Sequence, residues 1–338
     1  MDSARLNDTP RLVTIFGGSG FLGRHAVRAF AKAGWRVRVA VRRPDLAFHL
    51  QPLGGVGQIQ AVQANVRFPA SVARAVQKAD LVINLVGILT QSGRQTFEAI
   101  DVFGARAIAK ASKEAGVAAL IHMSAIGADV MSKSVADQSR ARGETVVREA
   151  FPEAVITRAS VIFGPEDTFF NRFAALARVL PALPLIGGGE TKFQPVFAGD
   201  IAEAFVALAN GKGSTGTTYE FGGPEIASFK KLMQYVCAQT NRKRLLVPLP
   251  FAGARIMALG TEIGKTLSLG LLPDAFLTTR DQVERLRNDN VVSDAAIRDG
   301  RTLSGLGINA TSYEAVAAGY LQRYRKTGEF DHTRAEPV

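Results

Sequence analysis

From residue 11 onward the chain alternates short β-branched runs with amphipathic stretches, and this alternation predicts its elements. LVTIF at 12–16 is continuously apolar, as a strand buried on both faces must be, and RVRVAV at 36–41 alternates only at its start. Further strands are predicted at 58–63, 81–86, 117–123 and 154–158. Helices are predicted over 21–33, 70–77 and 97–115, with another ending over 145–150. Gly34 and Gly116 stand where a helix end favours a left-handed residue. Short strands separated by helices give βαβ units and a parallel sheet, and right-handed crossovers make it doubly wound. The expected fold is α/β: a Rossmann-like doubly wound parallel sheet.

After Val161 the pattern changes. Residues 164–195 are rich in Pro, Gly and Phe, and 225–330 lose the βα alternation and read as mostly helical. Asp200 is expected to cap a helix, with Glu203 three residues on as its capping-box partner, and residues 219–221 to return to the sheet as a late strand. The domain expectation is 10–160 for the Rossmann domain and 161–330 for a smaller, mainly helical, discontinuous C-terminal domain. Within the latter, 196–222 returns to the first domain, and 331–338 is a tail. Residues 245–272 form a long apolar stretch among Lys243, Arg244, Arg255 and Lys265. Such a stretch suits a membrane-surface helix beside anionic lipid, or an ordinary core helix of the small domain.

Composition narrows the classes. Over 338 residues, 47% hydrophobic and 21% charged content excludes a disordered chain. No uncharged run reaches the roughly 18 apolar residues that span a bilayer. The polar first eleven residues resemble neither a secretory signal nor a transit peptide. The one cysteine, Cys237, forbids an internal disulfide, and four scattered histidines make metal chemistry improbable. A net charge of +11 suits an anionic partner, whether nucleic acid, lipid or nucleotide phosphate, or simply keeps the chain soluble. Aromatics at 8%, with no stripe interleaved among basic residues, argue against nucleic acid.

The chemistry lies in the loop after the first strand: Gly17-Gly18-Ser19-Gly20-Phe21-Leu22-Gly23. Glycines between a strand and a helix allow a tight turn, close approach of backbone amides to a pyrophosphate, and close helix packing. Two registers fit, Gly17/Gly20/Gly23 and Gly18/Gly20/Gly23. At the end of the second strand stand Arg42 and Arg43, where an NAD site carries a carboxylate for the ribose hydroxyls. A guanidinium fork matches a 2′-phosphate instead, so the expected cofactor is NADPH.

These residues resemble the extended short-chain dehydrogenase/reductase superfamily. The resemblance runs over roughly 11–330, through GGSGFLGR at 17–24, INLVGIL at 83–89, HMSAIGA at 122–128 and RASVIFGPED at 158–167. LPLIGGGETKFQPVFAGDIAEA at 183–204 and LTTRDQVERLRNDNVV at 277–292 are the more discriminating; they resemble the nucleotide-binding accessory subunits of respiratory complex I and their alphaproteobacterial relatives. The resemblance implies that Asn65 and Val66 lie at the adenine, that Leu85, Val86 and Gly87 border the ribose and nicotinamide, and that Ala159 joins the cofactor-binding set. Dehydrogenases of this superfamily use a serine after the fifth strand and Tyr-x-x-x-Lys on the next helix. Here Ser124 stands near the serine, and Glu144 sets a register in which Ala136 replaces the tyrosine and Arg140 the lysine. All five tyrosines lie later, from Tyr219 on, so no shift of register restores the pair. Without the phenol the site loses acid–base catalysis worth roughly 10²–10⁴-fold, while Arg140 still suits a ribose hydroxyl or pyrophosphate.

The implied role is a non-catalytic NADPH-binding subunit near the quinone-binding region, peripheral on the cytoplasmic side of a bacterial inner membrane or its matrix equivalent. Its partners are then other complex I subunits. The alternative is a free NADP-dependent reductase or isomerase using Ser124 and Arg140.

Overall fold

The first half of the chain runs β1 (Leu12–Phe16), α1 (Phe21–Lys32), β2 (Arg36–Val41), β3 (Ile59–Gln63), α2 (Pro69–Val76), β4 (Leu81–Asn84), α3 (Ala105–Glu114), β5 (Ala119–Ala125), α4 (Val135–Ala150) and β6 (Val155–Ala159). The computed structural model describes residues 10–267, 279–326 and 328, with 262–267 described by backbone alone. After β7 (Ile162–Phe163), α5 (Phe170–Val179), β8 (Ala182–Ile186), β9 (Lys192–Phe193), β10 (Val196–Phe197) and α6 (Ala198–Ala209), the chain re-enters the sheet as β11 (Thr218–Phe221). The seven-stranded sheet has the order β11-β6-β5-β4-β1-β2-β3, and every neighbouring pair is parallel. The chain winds one way from β1 through β2 to β3 and the other way from β4 onward. A crevice therefore opens at the carboxyl ends of β1 and β4.

Both faces of the sheet are covered. On one face Leu22, Ala26, Val27 and Phe30 of α1 meet Ile201 and Phe205 of α6 over Val13, Ile15, Val37 and Val39. On the other, Val72 of α2, Ile108 of α3 and Val147 of α4 close over Phe16, Val82 and Ile156. A side chain such as Phe30, fully buried, contributes about 2–3 kcal/mol. Helix α1 ends as expected: Gly34 has φ +81°, and the N–H groups of Ala33, Gly34 and Trp35 return to Ala29, Ala31 and Phe30.

Several expectations are corrected. The strand expected at 81–86 stops at Asn84, whose Oδ1 accepts the Val86 N–H at 3.1 Å and turns the chain. The strand expected from 117 begins at Ala119, because the Val117 N–H closes the preceding helix onto the Ser112 carbonyl. The helix over 97–115 has two parts, a π-helical stretch at Glu98–Gly104 and then α3. Asp200 does not cap α6, whose N-cap is Phe197. Its buried carboxylate sits in the first turn and accepts from the Thr311 N–H and hydroxyl at 2.6 and 2.9 Å.

The C-terminal part continues through β12 (Ala227–Ser228), α7 (Phe229–Gln239), β13 (Leu245–Leu249), α8 (Phe251–Leu267), α9 (Arg280–Arg285), α10 (Asp294–Arg298) and α11 (Tyr313–Leu321). The apolar stretch expected as one element opens with a strand. β13 pairs in parallel with β8 before α8 begins, and residues 268–272 lie outside the described residues, as does the tail at 331–338. Phe163, Phe170, Phe193, Phe229, Tyr313 and Tyr320 pack as an aromatic core beneath α5, α7 and α11.

Candidate nucleotide-binding site

The glycine loop shows which of its glycines the protein itself requires. Gly17 has φ +79°, and a Cβ there would lie 3.2 Å from the Leu85 carbonyl. A Cβ on Gly18 would lie 2.8 Å from Val39 Cγ1, and one on Gly23 only 2.3 Å from the Gly17 carbonyl oxygen. These three glycines bring β1, β2, α1 and the turn after β4 together, so the first and last glycines of both registers read from the sequence meet packing demands. Gly20 differs. It is the N-cap of α1 with φ −75° and ψ 180°, open to any residue, and its Cβ would meet only the Gly17 carbonyl at 3.2 Å. The first-turn N–H groups of α1 have no intrahelical acceptor, and the dipole end faces the same way. This cradle fits a pyrophosphate.

The remaining candidates gather at the same edge of the sheet. Arg42 and Arg43 follow β2, and both are exposed. Arg43 is engaged bidentately with Asp45, at 2.6 Å for its shortest contact, whereas Arg42 donates to the neutral Gln95 Oε1 at 2.9 Å. Pro44 turns the chain so that Asp45 comes back under Arg43, an intervention not foreseen. Asn65, after β3, accepts the Arg67 N–H at 3.1 Å. The Val66 side chain lies in the core beneath Gly104, where an added Cβ would come within 2.9 Å of its Cγ2. Leu85 and Val86 are half-buried and Gly87 is exposed, with open space above its Cα. Ala159 is buried at the end of β6, and its carbonyl accepts the Ile126 N–H at 3.0 Å.

Helix α4 carries the dehydrogenase positions. Ser134 caps it, and Asp281 of α9 accepts from the Val135 N–H at 2.6 Å and the Ser134 hydroxyl at 3.1 Å. Ala136, Arg140 and Glu144 share one face, as their four-residue spacing requires. Ala136 is buried and offers no proton. Arg140 donates to Asp137 Oδ1 at 3.2 Å, and Arg285 of α9 reaches the same oxygen at 3.0 Å. Burial, then the neighbouring Arg285, pushes the Arg140 guanidinium below its ordinary value, with Asp137 and Asp101 opposing. Asp101 accepts the Ser139 hydroxyl at 2.9 Å, and burial pushes its carboxyl up. Ser124 donates to Glu144 Oε1 at 2.5 Å, and Glu144 is paired bidentately with Arg158 at 2.7 and 2.9 Å. The serine is thus tied to a carboxylate on α4. Asp281, Arg285 and Arg158 were missed as partners of this helix. Their separation along the chain hides them, although the i, i+8 relation of Ala136 to Glu144 pointed to the face that Arg158 meets.

Beneath the site, His122 on β5 is fully enclosed, its Nδ1 3.0 Å from Asn84 Nδ2, and burial pulls its pKa down to about 4. It is therefore neutral at pH 7. Among the described residues no group of three or more His, Cys, Asp or Glu could hold a metal ion, and no helix is long and apolar enough to cross a membrane.

A parallel sheet with its order reversing at β1 and β4, and a glycine cradle at that point, define a Rossmann-like dinucleotide-binding fold. The sequence profile of an NAD(P)H-binding family matches residues 17–160. The mouse mitochondrial protein NADH dehydrogenase (ubiquinone) 1 alpha subcomplex subunit 9 is 37% identical over 317 residues, which cover 93% of this chain and 80% of the mouse protein. The chain belongs to the family of these subunits. A ceramide reductase of Caulobacter vibrioides is 30% identical over 300 residues, 87% of this chain and 90% of its own. In fold, a dTDP-glucose 4,6-dehydratase of Streptomyces venezuelae solved with NAD is similar, with a TM-score of 0.66 at 16% identity, covering 96% of this chain and 100% of that one.

Proposed function

We propose that this chain is a non-catalytic, NADPH-binding accessory subunit of a respiratory NADH:ubiquinone oxidoreductase. In this reading it is held peripherally by other subunits near the quinone-binding region, on the cytoplasmic side of a bacterial inner membrane. One observation carries it: the helix face that would hold the tyrosine and lysine holds buried Ala136 and an Arg140 already bound to Asp137. Arginine does not release a proton at working pH, and the Ser124 hydroxyl is bound to Glu144. Bound NADPH would be able to supply a hydride, but neither Ala136 nor Arg140, at the tyrosine and lysine positions, can supply the accompanying proton. The glycine cradle would hold the pyrophosphate, Arg42 the 2′-phosphate, and Leu85, Val86, Gly87 and Ala159 would line the nicotinamide side. A nucleotide kept in this way acts as a structural ligand, stabilising the fold that binds it.

The likeness to a ceramide reductase favours a second reading, an NADP-dependent reductase using Ser124 and Arg140. Steady-state NADPH oxidation separates the two. The accessory-subunit reading expects none with quinones, simple carbonyls or ceramide-class carbonyl compounds. Saturable turnover that Arg140→Ala abolishes would establish the reductase.

A further inference from the structure

The loop after β4 reaches farther than its place in the sheet suggests. In the order β4-β1-β2-β3, side chains following β2 and β3 lie on the opposite side of β1 from β4. Yet Arg42, after β2, donates to Gln95 Oε1 at 2.9 Å, and Arg67, after β3, donates to the Arg94 carbonyl at 3.2 Å. The segment is braced on itself. Ser92 and Gln95 exchange backbone hydrogen bonds at 2.9 and 3.0 Å, and the Gln91 side chain accepts the Phe97 N–H at 3.1 Å. Residues 91–96 therefore reach from the β4 side of β1 to the loops after β2 and β3, and adjacent residues, Arg94 and Gln95, receive the two guanidiniums.

Charge distinguishes these two arginines from their neighbour. Arg43 has its fork on the Asp45 carboxylate, which satisfies it and places a negative group where a phosphate would come. Arg42 and Arg67 meet only neutral acceptors, and among the described residues neither is ion-paired. A phosphate monoester carries close to two negative charges and three acceptor oxygens, more than one guanidinium can serve. We propose that Arg67 is the second ligand of the ribose 2′-phosphate, acting with Arg42, and that residues 91–96 are a strap over the adenosine half of the nucleotide. On binding, phosphate oxygens take the remaining N–H groups of the two guanidiniums, while Gln95 Oε1 and the Arg94 carbonyl keep theirs. Arg67 then discriminates NADPH from NADH, and the strap slows release of either.

This inference rests on the NADPH reading, and one experiment separates their failures. NADPH and NADH affinities are measured by fluorescence titration on nucleotide-stripped wild type, Arg67→Ala, Arg67→Lys and Gln95→Ala. A lost charge-assisted contact should weaken NADPH binding to Arg67→Ala by about 10- to 100-fold and leave NADH unchanged, with Arg67→Lys recovering part of the loss. Gln95→Ala, which frees the strap from Arg42, should weaken NADPH and NADH alike, and unchanged affinity for both would overturn the strap. If wild type does not prefer NADPH, the cofactor reading fails and this inference with it. If wild type prefers NADPH but Arg67→Ala keeps that preference, or loses NADH affinity equally, the assignment of Arg67 is overturned alone.

Discussion

Replacing Gly20 with valine separates the demands of the fold from those of the nucleotide. The Gly20 backbone suits any L-residue, and its Cβ would meet only the Gly17 carbonyl, at 3.2 Å. Valine is a poorer N-cap than glycine by about 1 kcal/mol. Unfolding 338 residues releases about 2.1 cal/mol/K each, or about 0.7 kcal/mol/K in all, so the variant free of nucleotide should melt only about 1–2 °C early. The isopropyl group, however, stands over the first-turn amides that would receive the pyrophosphate. Wild type at a hundredfold excess of NADPH over its dissociation constant gains about 2.7 kcal/mol, or about 4 °C, whereas Gly20→Val should gain nothing. Differential scanning calorimetry of stripped protein with and without NADPH reads both numbers. A variant that still gains 4 °C with NADPH would refute the cradle, and one that melts many degrees early without it would show that Gly20 is a packing glycine.

Gly23→Ala should behave in the opposite way, losing about 2–4 kcal/mol without nucleotide in urea denaturation, because its Cβ would lie 2.3 Å from a backbone carbonyl oxygen. His122 predicts a pH dependence. With a folded pKa of about 4 against an ordinary 6.5, the unfolded chain alone takes up this proton between those values. Stability should therefore be intact above pH 6.5 and fall by about 3 kcal/mol towards pH 4, a slope that His122→Asn should remove in equilibrium urea titrations. Glu144→Ala should cost about 3 kcal/mol by thermal denaturation, since it strips the buried side of the Arg158 pair and the acceptor of Ser124; a loss below about 1 kcal/mol would show that the pair is peripheral.

Most of the sheet was legible because strands buried on both faces leave continuous apolar runs, and β1 and β2 stand where LVTIF and RVRVAV placed them. The glycine loop was equally legible as the turn between β1 and α1, where Gly17, Gly18 and Gly23 each meet a packing demand. What escaped was set by distant partners. Asp200 reads as a helix cap until Thr311, far along the chain, claims its carboxylate. Leu245–Leu249 reads as the start of a helix until β8 offers it an edge. Arg43 reads as a phosphate ligand until Asp45, only two residues on, returns beneath it. Arg67 passed unnoticed because only the loop after β4 links it to Arg42, through Arg94 and Gln95.

The central claim is a resident NADPH in a subunit that does not turn it over, and it is tested most directly on native material. The chain is purified from its own membrane with its neighbours at high salt, then denatured, and the released nucleotide and co-purifying proteins are identified by mass spectrometry. The account predicts stoichiometric NADP(H) together with NADH:ubiquinone oxidoreductase subunits. Release of NAD(H) alone, or a chain that fractionates wholly with soluble protein and no such subunits, would contradict it.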